Sequence, residues 1–84
     1  MKQSKQNSRV YVIQTYYKNG NSRTIEYTNK PDAIAAFDRI HIVIGDQKYA
    51  FSILFCRDRY YAYDGRPYNH DGPEIARKSS LPTI

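Results

Sequence analysis

The sequence predicts an α+β domain: a small four-stranded antiparallel sheet and one helix, in the order ββαββ, with an extended C-terminal tail. Three observations predict it. β-branched and aromatic residues alternate on both sides of Asn19-Gly20, an alanine-rich run of helical periodicity follows Pro31, and two further apolar, tyrosine-rich stretches fill positions 48–64. The 84 residues make one domain with a thin core, because a chain this short buries only about 60–65% of its unfolded surface. The boundaries read as a basic arm at 1–8, a ββαββ unit at 9–64 and a tail at 65–84.

The first two strands come from "RVYVIQTYYKNGNSRTIEYT". Asn-Gly is the dipeptide that best tolerates the positive φ of a two-residue hairpin turn. That loop sets Lys18 opposite Asn21, Tyr16 opposite Arg23 and Val12 opposite Tyr27. Opposed residues share a face. Val10, Val12, Tyr16, Ile25 and Tyr27 then form the core face, and Tyr11, Ile13, Thr15, Tyr17, Thr24 and Glu26 a half-wet one.

The helix is written in "TNKPDAIAAFDRIHIVIGDQ". Thr28 or Asn29 caps it, Pro31 suits its first turn, and Asp32 complements the positive end of the helix dipole. Ala33, Ala36, Phe37, Ile40 and Ile44 recur at helical spacing, and Gly45 is a fitting stop. "IHIVI" is also a good strand sequence. The spacing nevertheless predicts a helix running to about Val43.

"KYAFSILF" and "YYAYD" follow as the third and fourth strands, with "CRDR" as the turn between them. One face collects Tyr49, Phe51, Ile53, Phe55, Tyr60 and Ala62; the other collects Ala50, Ser52, Leu54, Tyr61 and Tyr63. The third strand carries no charge on either face, the pattern of a strand covered on both sides. One helix covers only one side of a sheet this size. The last twenty residues hold three of the four prolines and two of the four glycines, which reads as a wrapping tail with at most one helical turn at "PEIARK".

Charge narrows the function classes. The net charge is +5, and the whole excess lies before Glu26, on Lys2, Lys5, Arg9, Lys18 and Arg23. A basic arm and hairpin favour polyanions or acidic protein surfaces through long-range attraction. The single cysteine allows no internal disulfide and points to a reducing compartment. No apolar run is long enough to cross a bilayer, so a soluble, cytoplasmic protein without membrane contact is expected.

Catalytic chemistry finds little support. Neither His41 nor His70 has Cys56 or a serine at a spacing that suggests a nucleophile and its base. His70 with Asp71 and Glu74 is a loop-type acid and histidine grouping without metal-ligand spacing. Cys56 beside Arg57 reads as a small half-buried hydrophobe rather than a reactive thiol. No catalytic residue, metal or cofactor is therefore expected.

Binding is the better reading. Tyr17, Tyr61 and Tyr63 with Lys18, Arg57, Arg59 and Arg66 at the rim make an aromatic, cation-edged face. Tyrosine and arginine dominate the energetic centres of protein interfaces, and the same pairing stacks bases and tracks phosphates on single-strand binders. A bare patch of this size needs a cover: the tail, a second copy of the chain in a homodimer, or a partner. "YAF" at 49–51 resembles the core of the RNA-recognition sheet motif, but Gln47 and Lys48 stand at its basic and glycine positions, and that fold's second helix has no counterpart.

In layout, "VYVIQTYYKNGNSRTIEYTNKPDAIAAFDRI" as hairpin then helix, followed by a tyrosine-rich hairpin, resembles the small proteins that phages and mobile elements encode against host defences, including anti-CRISPR proteins. The resemblance covers about residues 9–64 and carries no signature residue. It implies stoichiometric occlusion of a host nucleoprotein or nuclease complex, without catalysis. Many such inhibitors are acidic mimics of DNA. A basic chain implies instead contact with an acidic patch or with the nucleic acid itself.

Overall fold

In the computed structural model, residues 8–61 and 64–81 are described. They form β1 (Ser8–Tyr17), β2 (Ser22–Tyr27), α1 (Lys30–Asp38), β3 (Tyr49–Tyr61) and β4 (Pro67–Ser79). The strands make one antiparallel sheet in the spatial order β2-β1-β3-β4. The class matches the expectation, and the elements run ββαββ, but the fourth strand is Pro67–Ser79 rather than "YYAYD", whose first two tyrosines end β3. Residues 1–7 of the expected basic arm, and Tyr63, lie outside the described residues, while Ser8 opens β1.

The first hairpin closes over three residues, not two. Tyr17 N–H donates to Asn21 O at 2.9 Å and Gly20 N–H to Tyr17 O at 3.1 Å. A two-residue type I′ turn needs positive φ at both loop positions. Only Gly20 takes it here, at φ 95°, and no described non-glycine residue does. Asn19 instead accepts the Asn21 N–H on its side-chain oxygen at 3.0 Å. The extra loop residue slips the register by one, pairing Ile13 with Ile25 and Tyr11 with Tyr27. Every β2 side chain thereby changes face, and Ile25 and Tyr27 join Tyr11 and Ile13 rather than Val10 and Val12. Gly20→Ala is expected to cost about 1–2 kcal/mol, the strain of a left-handed L-residue, measured as a lower midpoint in urea.

The helix starts as its sequence requires. Asn29 caps it, accepting Asp32 N–H at 2.9 Å, and Pro31 sits in the first turn. It ends earlier than the spacing predicts. Arg39 is the C-cap, and 40–48 is a loop with no further helical turn. The β-branched run Ile40, Ile42, Val43, Ile44 is a weak helix former, while Lys78 of β4 seizes the end, its ammonium donating to Phe37 O and Ile40 O at 2.7 Å each. Gly45, at φ 85°, shapes a later turn and is not the helix stop. Ala33 and Phe37 are buried against Ile13 and Leu54, with Tyr11, Tyr27, Ala36, Ile40 and Ala76 packed around them. The core face is thus the one the two-residue turn would have left half wet.

The largest departure concerns "CRDR". It is not a turn but the middle of β3, a strand of 13 residues, about 40 Å long at 3.3 Å per residue. Its charges are matched across the sheet by opposite charges distant in sequence. Arg57 Nε meets Asp71 at 2.6 Å, Arg59 meets Glu26 at 2.9 Å, and Asp58 meets Arg9 at 2.8 Å. The reversal occurs at Asp64-Gly65-Arg66, where Gly65 takes φ 84° and Asp64 accepts the Arg66 N–H at 3.1 Å.

Most of the segment read as a tail is accordingly β4, which neither wraps nor covers the sheet. An edge strand tolerates Pro67 and Pro73 because an outward N–H needs no partner. Two register shifts, one between Leu54 and Phe55 and one between Phe55 and Arg57, absorb the extra β4 residues near Gly72 and Ile75. A Cβ on Gly72 would lie 2.7 Å from Cys56 Sγ, so only glycine fits that crossing.

Candidate functional site: a cationic cleft at the helix end of the sheet

Of the residues expected to form one binding face, the structure separates two groups. Tyr17 and Lys18 lie at the β1–β2 turn, where Tyr17 pairs with Tyr49 at the start of β3. Arg57, Arg59 and Tyr61 lie along the far half of β3, and Arg66 in the turn beyond it. Tyr61, 12 residues further along β3 than Tyr49, is about 40 Å away. They form no common patch.

The far group is also spent internally. Arg57 binds Asp71 and Glu26, Arg59 binds Glu26, Arg66 binds Asp64, Arg9 binds Asp58 and Arg77 binds Glu74, so five arginines are neutralised by five carboxylates. The hydrogen bond from Arg9 holds the Asp58 carboxyl below its usual range, and that from Arg77 does the same for Glu74. Asp71, for its part, raises the pKa of Arg57.

These pairs settle what covers the sheet face away from the helix. Arg57 lies over the Phe55 ring at 5.5 Å and Arg77 over Phe51 at 5.1 Å, while Tyr16 stacks on Phe51 at 4.5 Å. Val12 is fully buried and Phe55 is 6% exposed there, with no second layer of secondary structure above them among the described residues. Guanidinium planes anchored by carboxylates lie across an apolar sheet surface. Tyr11 and Ile13, expected on a half-wet face, and Leu54, expected on the face with Tyr61, are under the helix instead.

The other end is different in kind. The early stop of α1 leaves a cleft of about 370 Å³ between the helix end, the following loop and the first hairpin. Its floor is apolar, with Ile13, Ala36 and Ile40, and its walls carry Tyr17, Tyr27, Tyr49, Arg23, Arg39 and His41. A shallower groove continues from it past Tyr17, Arg23 and Lys48. Among the described residues, no carboxylate lines either depression, and Lys18, Arg23, Arg39 and Lys48 make no ion pair.

The architecture holds this end in place. Lys18 N–H donates to Lys48 O at 3.0 Å, tying hairpin to loop. Asp46 accepts the N–H groups of Lys48 and Tyr49 at 2.9 and 3.0 Å, which keeps its carboxyl ionised below the usual range. The Tyr17 and Tyr49 rings lie 5.2 Å apart, and the Lys48 ammonium lies 5.3 Å from the Tyr49 ring centre. Beneath the cleft, Thr15 and Ser52 satisfy each other at 2.9 Å.

The sequence reading found Tyr17 and Lys18 but not Arg23, Arg39, His41, Lys48 or Tyr49 as their companions. One signal was available: the charge excess ahead of Glu26, in the N-terminal arm and first hairpin, already included Arg23. Arg39 and His41 reach the site because the helix stops before them. No group of three or more His, Cys, Asp or Glu suited to a metal occurs among the described residues, and no described helix is long and apolar enough to cross a membrane. Comparison with family models, with curated proteins and with solved structures finds no match to this chain.

Proposed function

We propose that this chain is a non-enzymatic binding protein of the phage or plasmid inhibitor type, which associates stoichiometrically with a host nucleoprotein or nuclease complex and engages its nucleic-acid component through the cationic end. The observation that carries this reading is the segregation of charge. Arginines on the far half of the sheet are cancelled in place, whereas Lys18, Arg23, Arg39 and Lys48 make no ion pair among the described residues. Among the described residues, the arginine charge left uncancelled therefore lies at the helix end of the sheet, and a phosphate-rich surface is drawn to it.

A second reading, a single-strand binder with no protein target, is favoured by the tyrosine pair beside those cations, since rings next to a basic groove hold successive bases. The two readings part on one comparison. An inhibitor binds the assembled nucleoprotein more tightly than the strand stripped from it; a strand binder does not.

The phosphate contact common to both is tested with labelled single-stranded and duplex oligonucleotides, following anisotropy as salt is raised. The logarithm of affinity is expected to fall linearly with the logarithm of salt, by about 0.7 per phosphate contacted on a single strand. A double substitution Arg57→Glu, Arg59→Glu sets glutamates against Asp71 and Glu26 and is expected to lower the melting temperature while leaving affinity unchanged. Absence of binding to either oligonucleotide at low salt, or loss of binding in that variant, overturns the assignment to the cationic end.

A further inference from the structure

The cleft has two kinds of lining, and polyanion attraction needs only one of them. Exposed cations alone would serve a phosphate backbone. Here Arg23 and Arg39 stand at the wall of a depression floored by Ile13, Ala36 and Ile40 and flanked by the Tyr49 ring. Its volume of about 370 Å³ is far larger than a phosphate group and within the range of small-molecule sites. Arginine binds phosphate oxygens in pairs, a tyrosine face takes a base, and an apolar floor favours a planar ring over a second charge.

We infer that the cleft is a single-nucleotide subsite, with the phosphate on Arg23 and Arg39 and the base against the tyrosine rings. The inference rests on the reading of the cationic end as a nucleic-acid contact and makes it specific: one nucleotide is inserted, while the adjoining groove past Lys48 carries the next phosphate. With no carboxylate lining the cleft among the described residues, nothing there accepts a hydrogen bond from a ribose diol as an acidic side chain would. Deoxyribo- and ribonucleotides are therefore taken alike. The same chemistry fits a free mononucleotide and a nucleotide within a strand.

Two-dimensional NMR of the 15N-labelled protein separates the possibilities. Uridine monophosphate, thymidine monophosphate and inorganic phosphate are titrated individually, and oligonucleotide affinity is measured in parallel. The expected result is that both mononucleotides shift the amides of Arg39, Ile40, His41 and Tyr49, that inorganic phosphate shifts fewer of them at higher concentration, and that Arg39→Gln weakens the mononucleotides about tenfold, the loss of one charge-assisted pair. Arg39 is exposed, so that variant keeps its fold; Tyr49→Leu then tests the base contact. Equal affinity for phosphate and mononucleotide, or no effect of Tyr49→Leu in a folded variant, overturns the base contact. Oligonucleotide binding with shifts confined to other residues overturns the subsite and leaves the proposed function standing. Mononucleotide shifts in the cleft without oligonucleotide binding keep the subsite and overturn the proposed function. A distant-face variant, Arg66→Gln, is expected to change neither.

Discussion

Reversing Arg23 and Lys48 together, as Arg23→Glu with Lys48→Glu, is expected to lower single-strand affinity at least tenfold at about 0.1 M salt and to reduce the salt slope by about 1.4, two contacts at about 0.7 each. Arg23 and Lys48 line the groove that leads from the cleft, and both side chains are exposed. Exposed substitutions away from caps and buried networks change stability by about 0.5 kcal/mol or less, so the melting curve should be retained. The slope is the sharper readout, because a binding loss caused by misfolding lowers the active fraction without changing how affinity depends on salt. An unchanged slope in a folded variant would place the phosphates elsewhere, and the N-terminal arm with Lys2 and Lys5 would be the next surface to reverse.

The second large effect is on the fold. Phe37→Ala is expected to lower the melting temperature by about 12–40 °C, from a loss of about 3–5 kcal/mol at about 4–8 °C per kcal/mol. Phe37 is 4% exposed and is, with Ala33, one of two helix side chains buried on the sheet against Ile13 and Leu54. The Lys78 ammonium lies 4.9 Å from its ring centre, so truncation also removes a partner from the side chain that ends the helix. Removing a buried phenyl ring costs about 3–5 kcal/mol, whereas a domain of this length has only about 4–13 kcal/mol in total. A single nine-residue helix has no other anchor to share the loss. A thermal melt followed by circular dichroism would report it. A cooperative melt displaced by only a few degrees would mean that the sheet, with its cross-strand ion pairs, holds together without the helix.

Local chemistry was legible wherever the deciding partner was near in sequence. Asn29, Pro31 and Asp32 announce the helix start because capping bonds reach only three residues. Gly20 announces a reversal because positive φ is a property of one residue. The same locality misled at Asn19, where a side-chain bond to the amide of Asn21 keeps its φ negative, and one extra loop residue then exchanged the two faces of β2. "CRDR" looked like a turn because four polar residues in a row have no local reason to be a strand. Their reason is Glu26, Asp71 and Arg9, at separations of 14 to 49 residues. The Asp64-Gly65 pair, a good turn signal, is split by the expected boundary between a fourth strand ending at Asp64 and a tail beginning at Gly65.

By itself the sequence determined the α+β class, the succession of hairpin, helix and further strands, the helix start and the charge excess ahead of Glu26, in the N-terminal arm and first hairpin. All of these follow from short-range backbone preferences and from composition. Tertiary structure alone decided where the strands end, which face is core and which cations remain unpaired. Strand register and ion pairing are contacts between distant residues, so they set whether an arginine is a binding group or the lid of an apolar sheet. Arg57 and Arg23 look equivalent along the chain. Asp71 and Glu26 beside the first, and a carboxylate-free cleft beside the second, make them different.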